Sequence, residues 1–323
     1  MSTIPATALP DSPVVETEQV QAGLRARNFG IDCLRGLAIL LVVVHHLALP
    51  FRLPLGPSLL GAWWPKRLLD AVSFNGYEAV FVFFVISGFL ITSRIIERDG
   101  DLARVDLRHF YRARARRILP LLCLTLAVLS VLAWCGVEGF APYPGEQSLG
   151  GLLGSVLTLS FNWYEGRTGW APAGWDVLWS LSIEEAFYLG FPLLCLWLPR
   201  RVLVGLLVVW AFSLLPLRNL VLASDEVWWE KAYLPGMSAI AWGVLTAVLA
   251  RRWRPLRRDA RALLVFGVFC LLLALGWGDW YIATCTNPAC MVCAWALPCC
   301  CWPGMRIRLR PGAACAGWRA WAP

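Results

Sequence analysis

The feature that most constrains this chain is the alternation of long apolar runs with arginine. Residues 31–49, 77–96, 118–135, 179–194, 202–217, 234–250 and 262–277 are apolar runs, each long enough, or nearly so, for a helix to cross the hydrocarbon core. Arginine gathers on every second connection. It is found before the first run (Arg25, Arg27, Arg35), between residues 94 and 117, at Arg200 and Arg201, and from Arg251 to Arg261. Backbone polar groups in lipid must be satisfied within the segment, so spans of this kind are helices. Arginine-rich connections stay on the cytoplasmic side. The pattern predicts an all-α, polytopic transmembrane bundle of about seven spans with a cytoplasmic N-terminus. Composition agrees: 59% of residues are hydrophobic, 15% are charged, and the mean hydropathy is +0.61. The net charge of +8 therefore reports orientation in a membrane. The arginines flank apolar spans and build no soluble basic face, so no nucleic-acid partner is expected.

The first run reads RGLAILLVVVHH from Arg35 to His46. Arg35 and His46 lie roughly 16 Å apart along a helix axis, about three turns, and share one side. Such groups are costly in lipid unless they face protein or water. A snorkelling arginine and a hydrogen-bonded histidine would be the structural reading; a functional pair is the other. The second run contains FFVISGFLIT, where Ser87 and Gly88 interrupt bulky residues and would let a helix or a ligand come close. The cytoplasmic segment ends in FYRARARRILP. Arg114 and Arg117 are three apart and share a helix face, and paired guanidiniums suit phosphate oxygens. The fourth run opens with WSLSIEEAFYL, which clusters Ser182, Glu184, Glu185 and Tyr188 at its outer end. A carboxylate there, beside Ser and Tyr, can hold a sugar hydroxyl or orient a histidine. The apolar stretch 149–161 is too short to span and is expected to pack on the bundle at the outer face or dip in and return.

These four motifs, in this order, resemble the acyltransferase-3 family of integral membrane O-acyltransferases. The resemblance covers about residues 31–192. It implies His46, rather than its neighbour His45, as the catalytic base, with Glu184 as a second catalytic residue orienting His46 or the acceptor. It implies Arg35, Arg114 and Arg117 as donor-binding residues, and Ser87, Gly88, Ser182 and Tyr188 as structural or acceptor-side residues. The donor would be acyl-CoA, most simply acetyl-CoA, used as a co-substrate with no bound cofactor. The acceptor would be a hydroxyl of a surface glycan, a lipo-oligosaccharide or a related small molecule. The setting would be the lipids of the inner (plasma) membrane. The family commonly has about ten spans, more than the seven offered here. It also often has a second arginine where this chain has Ala113, beside Arg112.

Three regions follow. Residues 1–28 are polar, with Pro, Ser and Thr and no apolar h-region, and read as a disordered cytoplasmic tail with no signal peptide. Residues 29–283 form the membrane domain, C-terminally short of the family pattern. Residues 284–323 are rich in Cys, Trp and Pro, nearly free of leucine, and read as a non-native ending. Cys290 and Cys293 have zinc-ligand spacing, but no second well-spaced pair or histidine follows, so no metal site is expected. The competing reading is a transporter or flippase of a glycan or lipid-linked substrate, which would also place charges near mid-membrane but would show internal repeats. A purely structural membrane subunit would leave the ordered motifs unexplained.

Overall fold

The structure, a computed structural model, describes residues 29–51, 62–221, 225–252 and 257–276. The tail 1–28 and the cysteine-rich segment 284–323 lie outside these residues. Every regular element among the described residues is helical. In chain order these are α1 (Phe29–Phe51), α2 (Lys66–Phe74), α3 (Gly76–Asp99), α4 (Leu107–Trp134), α5 (Leu149–Leu157), α6 (Phe161–Thr168), α7 (Ala173–Asp176), α8 (Trp179–Trp197), α9 (Arg200–Val221), α10 (Glu226–Lys231), α11 (Tyr233–Arg252) and α12 (Arg257–Gly276). Five stretches are long and apolar enough to cross a membrane: Gly30–Ala48, Gly76–Asp99, Leu107–Trp134, Ala173–Trp197 and Val227–Arg252. The other two apolar runs of the sequence also fall on helices, α9 and α12.

The bundle is built around α3. Its Phe81, Phe84, Val85, Ile86 and Phe89 are buried, as are Ala239, Ile240, Ala241 and Val244 of α11. Among the described residues no other helix pair packs as extensively as α3 and α11. Small residues permit this. A Cβ on Gly88 would stand 2.1 Å from the Ile240 carbonyl oxygen, and one on Gly243 would stand 2.0 Å from the Val85 carbonyl oxygen. Apolar attraction between helices is weak in lipid, so close backbone approach through small residues is the main route to a tight seam. Gly88 is thus a packing residue, one of the two roles its sequence setting allowed. By contrast α4 leaves Leu119, Leu121, Leu124, Val128 and Val131 exposed, as a lipid-facing helix does.

The connection from α3 to α4 sets the arginine segment. Gly100 closes α3 at φ 80°, a left-handed conformation that favours glycine, and its N–H caps Ile96. Arg251 donates to the Gly100 carbonyl at 2.7 Å, and Arg200 pairs with Asp101 at 3.3 Å. The Asp106 side chain then accepts the His109 N–H at 3.0 Å and starts α4. At the other end of the bundle α5 and α6 pack inward through Leu152, Val156 and Phe161, as the short 149–161 stretch predicts.

Candidate active site

A cavity of about 730 Å³ opens between α1, α3, α4 and α8. Arg35 comes from α1, Ser87 and Arg94 from α3, His109, Arg114 and Arg117 from α4, and Glu184 and Glu185 from α8. All four sequence motifs therefore contribute side chains to one cavity. The register explains how Arg35 arrives there. The His45 ring occupies the place a Cβ on Gly76 would need, with 2.3 Å between that Cβ and the ring. α1 and α3 run antiparallel from that contact, so stepping ten residues back along α1 and ten forward along α3 brings Arg35 level with Ile86 and Ser87.

Charge inside the cavity is unevenly paired. Arg114 reaches Glu185 at 2.5 Å, and its guanidinium carbon sits 3.8 Å from the centre of the Tyr188 ring. Arg114 is therefore a bridge between α4 and α8, with its Nε still lacking a hydrogen bond. Arg35, Arg94 and Arg117 make no ion pair or hydrogen bond among the described residues. Ser87 donates to Glu184 at 2.8 Å. Tyr188 is buried behind the wall, beside Ser87 and Glu184, and its hydroxyl has no well-formed hydrogen bond among the described residues. Ser182 is also buried, 1% exposed, and does not line the cavity. His109, exposed in the first turn of α4 where the Asp106 side chain caps the helix, also lines the cavity.

The two histidines of α1 are elsewhere. His46 does not line this cavity and makes no hydrogen bond among the described residues. Glu184 is joined to Ser87, so it does not orient His46. The physical reason is depth. Glu184 meets α3 at Ser87, eleven residues along from Gly76, roughly 16 Å from the level of the histidine pair. The outer end assigned to Glu184 and Glu185 from sequence is corrected in the same way: both share a cavity with Arg114 and Arg117. His45 is held by an Nδ1 contact of 3.3 Å to the Ser73 carbonyl oxygen. A carbonyl only accepts, so the His45 proton is on Nδ1. The His46 ring stands edge-on to it, with centroids 5.6 Å apart and planes at 73°. His45 is thus fixed by hydrogen bonding and packing, while both ring nitrogens of His46 stay available.

A second polar centre, not anticipated from the sequence, lies at the His45–His46 end. Lys231 is 3% exposed and donates to Glu165 at 3.1 Å and to Asp176. Its ammonium also lies 4.3 Å from the Trp170 ring centre. Burial pushes the Glu165 carboxyl above the usual carboxylate range, and the Lys231 ammonium pulls it back. Lys231 is within electrostatic reach of His46. The only sequence signal was a lysine at the mouth of the apolar run 234–250, a few residues after the acids Asp225 and Glu226.

The bundle thus combines five stretches apolar enough to cross a membrane with an arginine-lined cavity, and a histidine stands three turns further along one of the cavity's helices. The sequence matches the family described as Acyltransferase domain over residues 28–311. The chain belongs to that family, acyltransferase-3. It is 30% identical over 195 residues to the O-acetyltransferase OatA of Staphylococcus aureus (strain NCTC 8325 / PS 47), covering 57% of this chain and 28% of that protein. It is 30% identical over 171 residues to the peptidoglycan O-acetyltransferase YrhL of Bacillus subtilis (strain 168), covering 51% of this chain and 23% of that protein. The aligned region thus spans less than a third of either relative's length. No solved structure matches.

Proposed function

We propose that this chain is a multi-pass O-acyltransferase of the plasma (inner) membrane. It takes an acyl group, acetyl in the simplest case, from acyl-CoA at the arginine-lined cavity. It delivers that group to a hydroxyl of a surface glycan, a lipo-oligosaccharide or a related small molecule. The observation that carries this reading is convergence: Arg35, Ser87, Arg114, Arg117 and Glu184 come from four separate stretches and line one cavity. The charge rule puts the arginine segments on the cytoplasmic face, where acyl-CoA is available. YrhL is named for peptidoglycan, which makes peptidoglycan fragments the first acceptor to test here.

In this mechanism the donor's phosphates rest on Arg35, Arg117 and the free Nε of Arg114. The acyl end extends along α1 toward His46, which a donor with a long flexible arm between phosphates and thioester can do. His46 takes the acceptor's hydroxyl proton as the oxygen attacks the thioester carbonyl carbon. A C–O bond forms, the C–S bond breaks, and the CoA thiolate leaves and recovers the proton from His46. Glu184, held by Ser87, sets the electrostatics at the donor's level. The test is acetyl-CoA consumption by purified protein in membranes, with peptidoglycan fragments supplied. Acceptor-dependent release of CoA, with an acetyl ester found on the glycan by mass spectrometry, is expected. Movement of a glycan across the bilayer without CoA release would replace the reading with transport.

A further inference from the structure

Resting on the acyltransferase reading, we infer that Asn162, Glu165 and Trp170 form a subsite for a hydroxyl-rich acceptor, a sugar unit, on the His46 side of the bundle.

The argument begins with two unsatisfied oxygens. Asn162 Nδ2 donates to the Lys231 carbonyl at 2.6 Å. That carbonyl only accepts, so the amide nitrogen must face it and Oδ1 faces away. Asn162 Oδ1 has no partner among the described residues. Glu165 Oε1 accepts from Lys231 Nζ and from the Ala171 N–H, each at 3.1 Å, while Oε2 has no partner. The two side chains are 1% and 0% exposed. Three residues apart on α6, they share a face. A buried acceptor left without a donor loses its water and gains nothing in return, and native folds rarely leave two together. What the pair lacks is O–H or N–H.

The surroundings narrow the ligand. Trp170 is 39% exposed and forms the open edge of the cluster beside Lys231. An indole face accepts the C–H face of a sugar ring, while neighbouring carboxylate and amide oxygens accept its hydroxyls. Glu165 and Asp176 both flank the cluster, which disfavours a phosphate and separates this site from the donor cavity. The cluster is also tied to the histidine level. Tyr77 donates to the Glu230 carbonyl at 2.8 Å, one residue from Lys231, and Tyr77 follows the Gly76 notch that His45 fills. An acceptor resting on Asn162 and Glu165 would thus have its neighbouring hydroxyl on the side of His46.

The experiment uses the full chain in nanodiscs and soluble peptidoglycan fragments as the probe. Two variants are compared with wild type: Asn162→Leu, which removes the free oxygen, and Trp170→Ala, at the exposed edge, where folding is least at risk. Fragment Kd is measured by calorimetry without donor. KM for fragment and for acetyl-CoA are measured separately in the transfer assay. Fragment Kd and KM are expected to rise tenfold or more in both variants, with the acetyl-CoA KM within twofold. Should Asn162→Leu fail to fold, Trp170→Ala alone decides. A wild type that binds no fragment, or a Trp170→Ala variant with unchanged fragment Kd, overturns the subsite and leaves the two oxygens to a buried water. Fragment binding that is lost in the variants while wild type consumes no acetyl-CoA supports the subsite and removes the acyltransferase reading instead.

Discussion

Substituting Gly88 by alanine tests how the bundle is held together. The new methyl group would sit 2.1 Å from the Ile240 carbonyl oxygen, where ordinary contact begins near 3.4 Å. That oxygen belongs to the α11 backbone and cannot rotate away as a side chain would. α3 and α11 must part by about 1 Å, and a gap of that size forfeits roughly a quarter to a half of each dispersion contact along the seam. Overpacking of this kind costs about 1–3 kcal/mol, while alanine's better helix propensity returns up to about 1 kcal/mol. The expected net loss is about 1 kcal/mol, with about 2 kcal/mol as the upper end. Gly190 of α8 is the control, because a Cβ there meets nothing within 4 Å. Gly190→Ala should be neutral or slightly stabilising. The measurement is the unfolding free energy in mixed micelles titrated with dodecyl sulfate. Gly88 is next to Ser87, so the Ser87–Glu184 bond should loosen and transfer should slow as well. A Gly88→Ala protein as stable as the Gly190→Ala protein would refute the close seam.

His46→Ala should lower transfer by about a hundredfold or more, as loss of a general base does, while acetyl-CoA binding stays unchanged; near-native turnover would remove His46 from the reaction. His45→Ala should lose less activity but melt lower, since it empties the Gly76 notch, and paired melting and rate measurements check both halves. Arg117→Ala should weaken acyl-CoA binding about tenfold and flatten its salt dependence, read by calorimetry at two ionic strengths. Arg114→Ala should add a loss of stability, because it strips Glu185 of its cation in a half-buried setting. Glu185→Gln in the same chain should restore part of that stability but not the donor affinity, and restoration of both would make Arg114 purely structural.

Much of the frame was legible in the residues alone. Apolar runs of the right length dictate helices because lipid offers the backbone no other partner, and the described residues are helical where those runs stand. Periodicity is local, so the shared side of Arg35 and His46 and the shared face of Arg114 and Arg117 follow from spacing. Tertiary structure decided what those side chains do. It split the arginine pair, giving Arg114 to Glu185 and Tyr188 and leaving Arg117 open to the cavity. Helix register moved Glu184 to the depth of Ser87, away from His46. Packing assembled Lys231, Glu165, Asp176 and Asn162 from three segments with no motif in common. The physical reason is range. Hydrogen bonds within a helix repeat every four residues and can be read along the chain. Which charge neutralises which depends on how far one helix slides past the next, and here that was set by close contacts at Gly76, which the His45 ring fills, and at Gly88 and Gly243, where backbones meet.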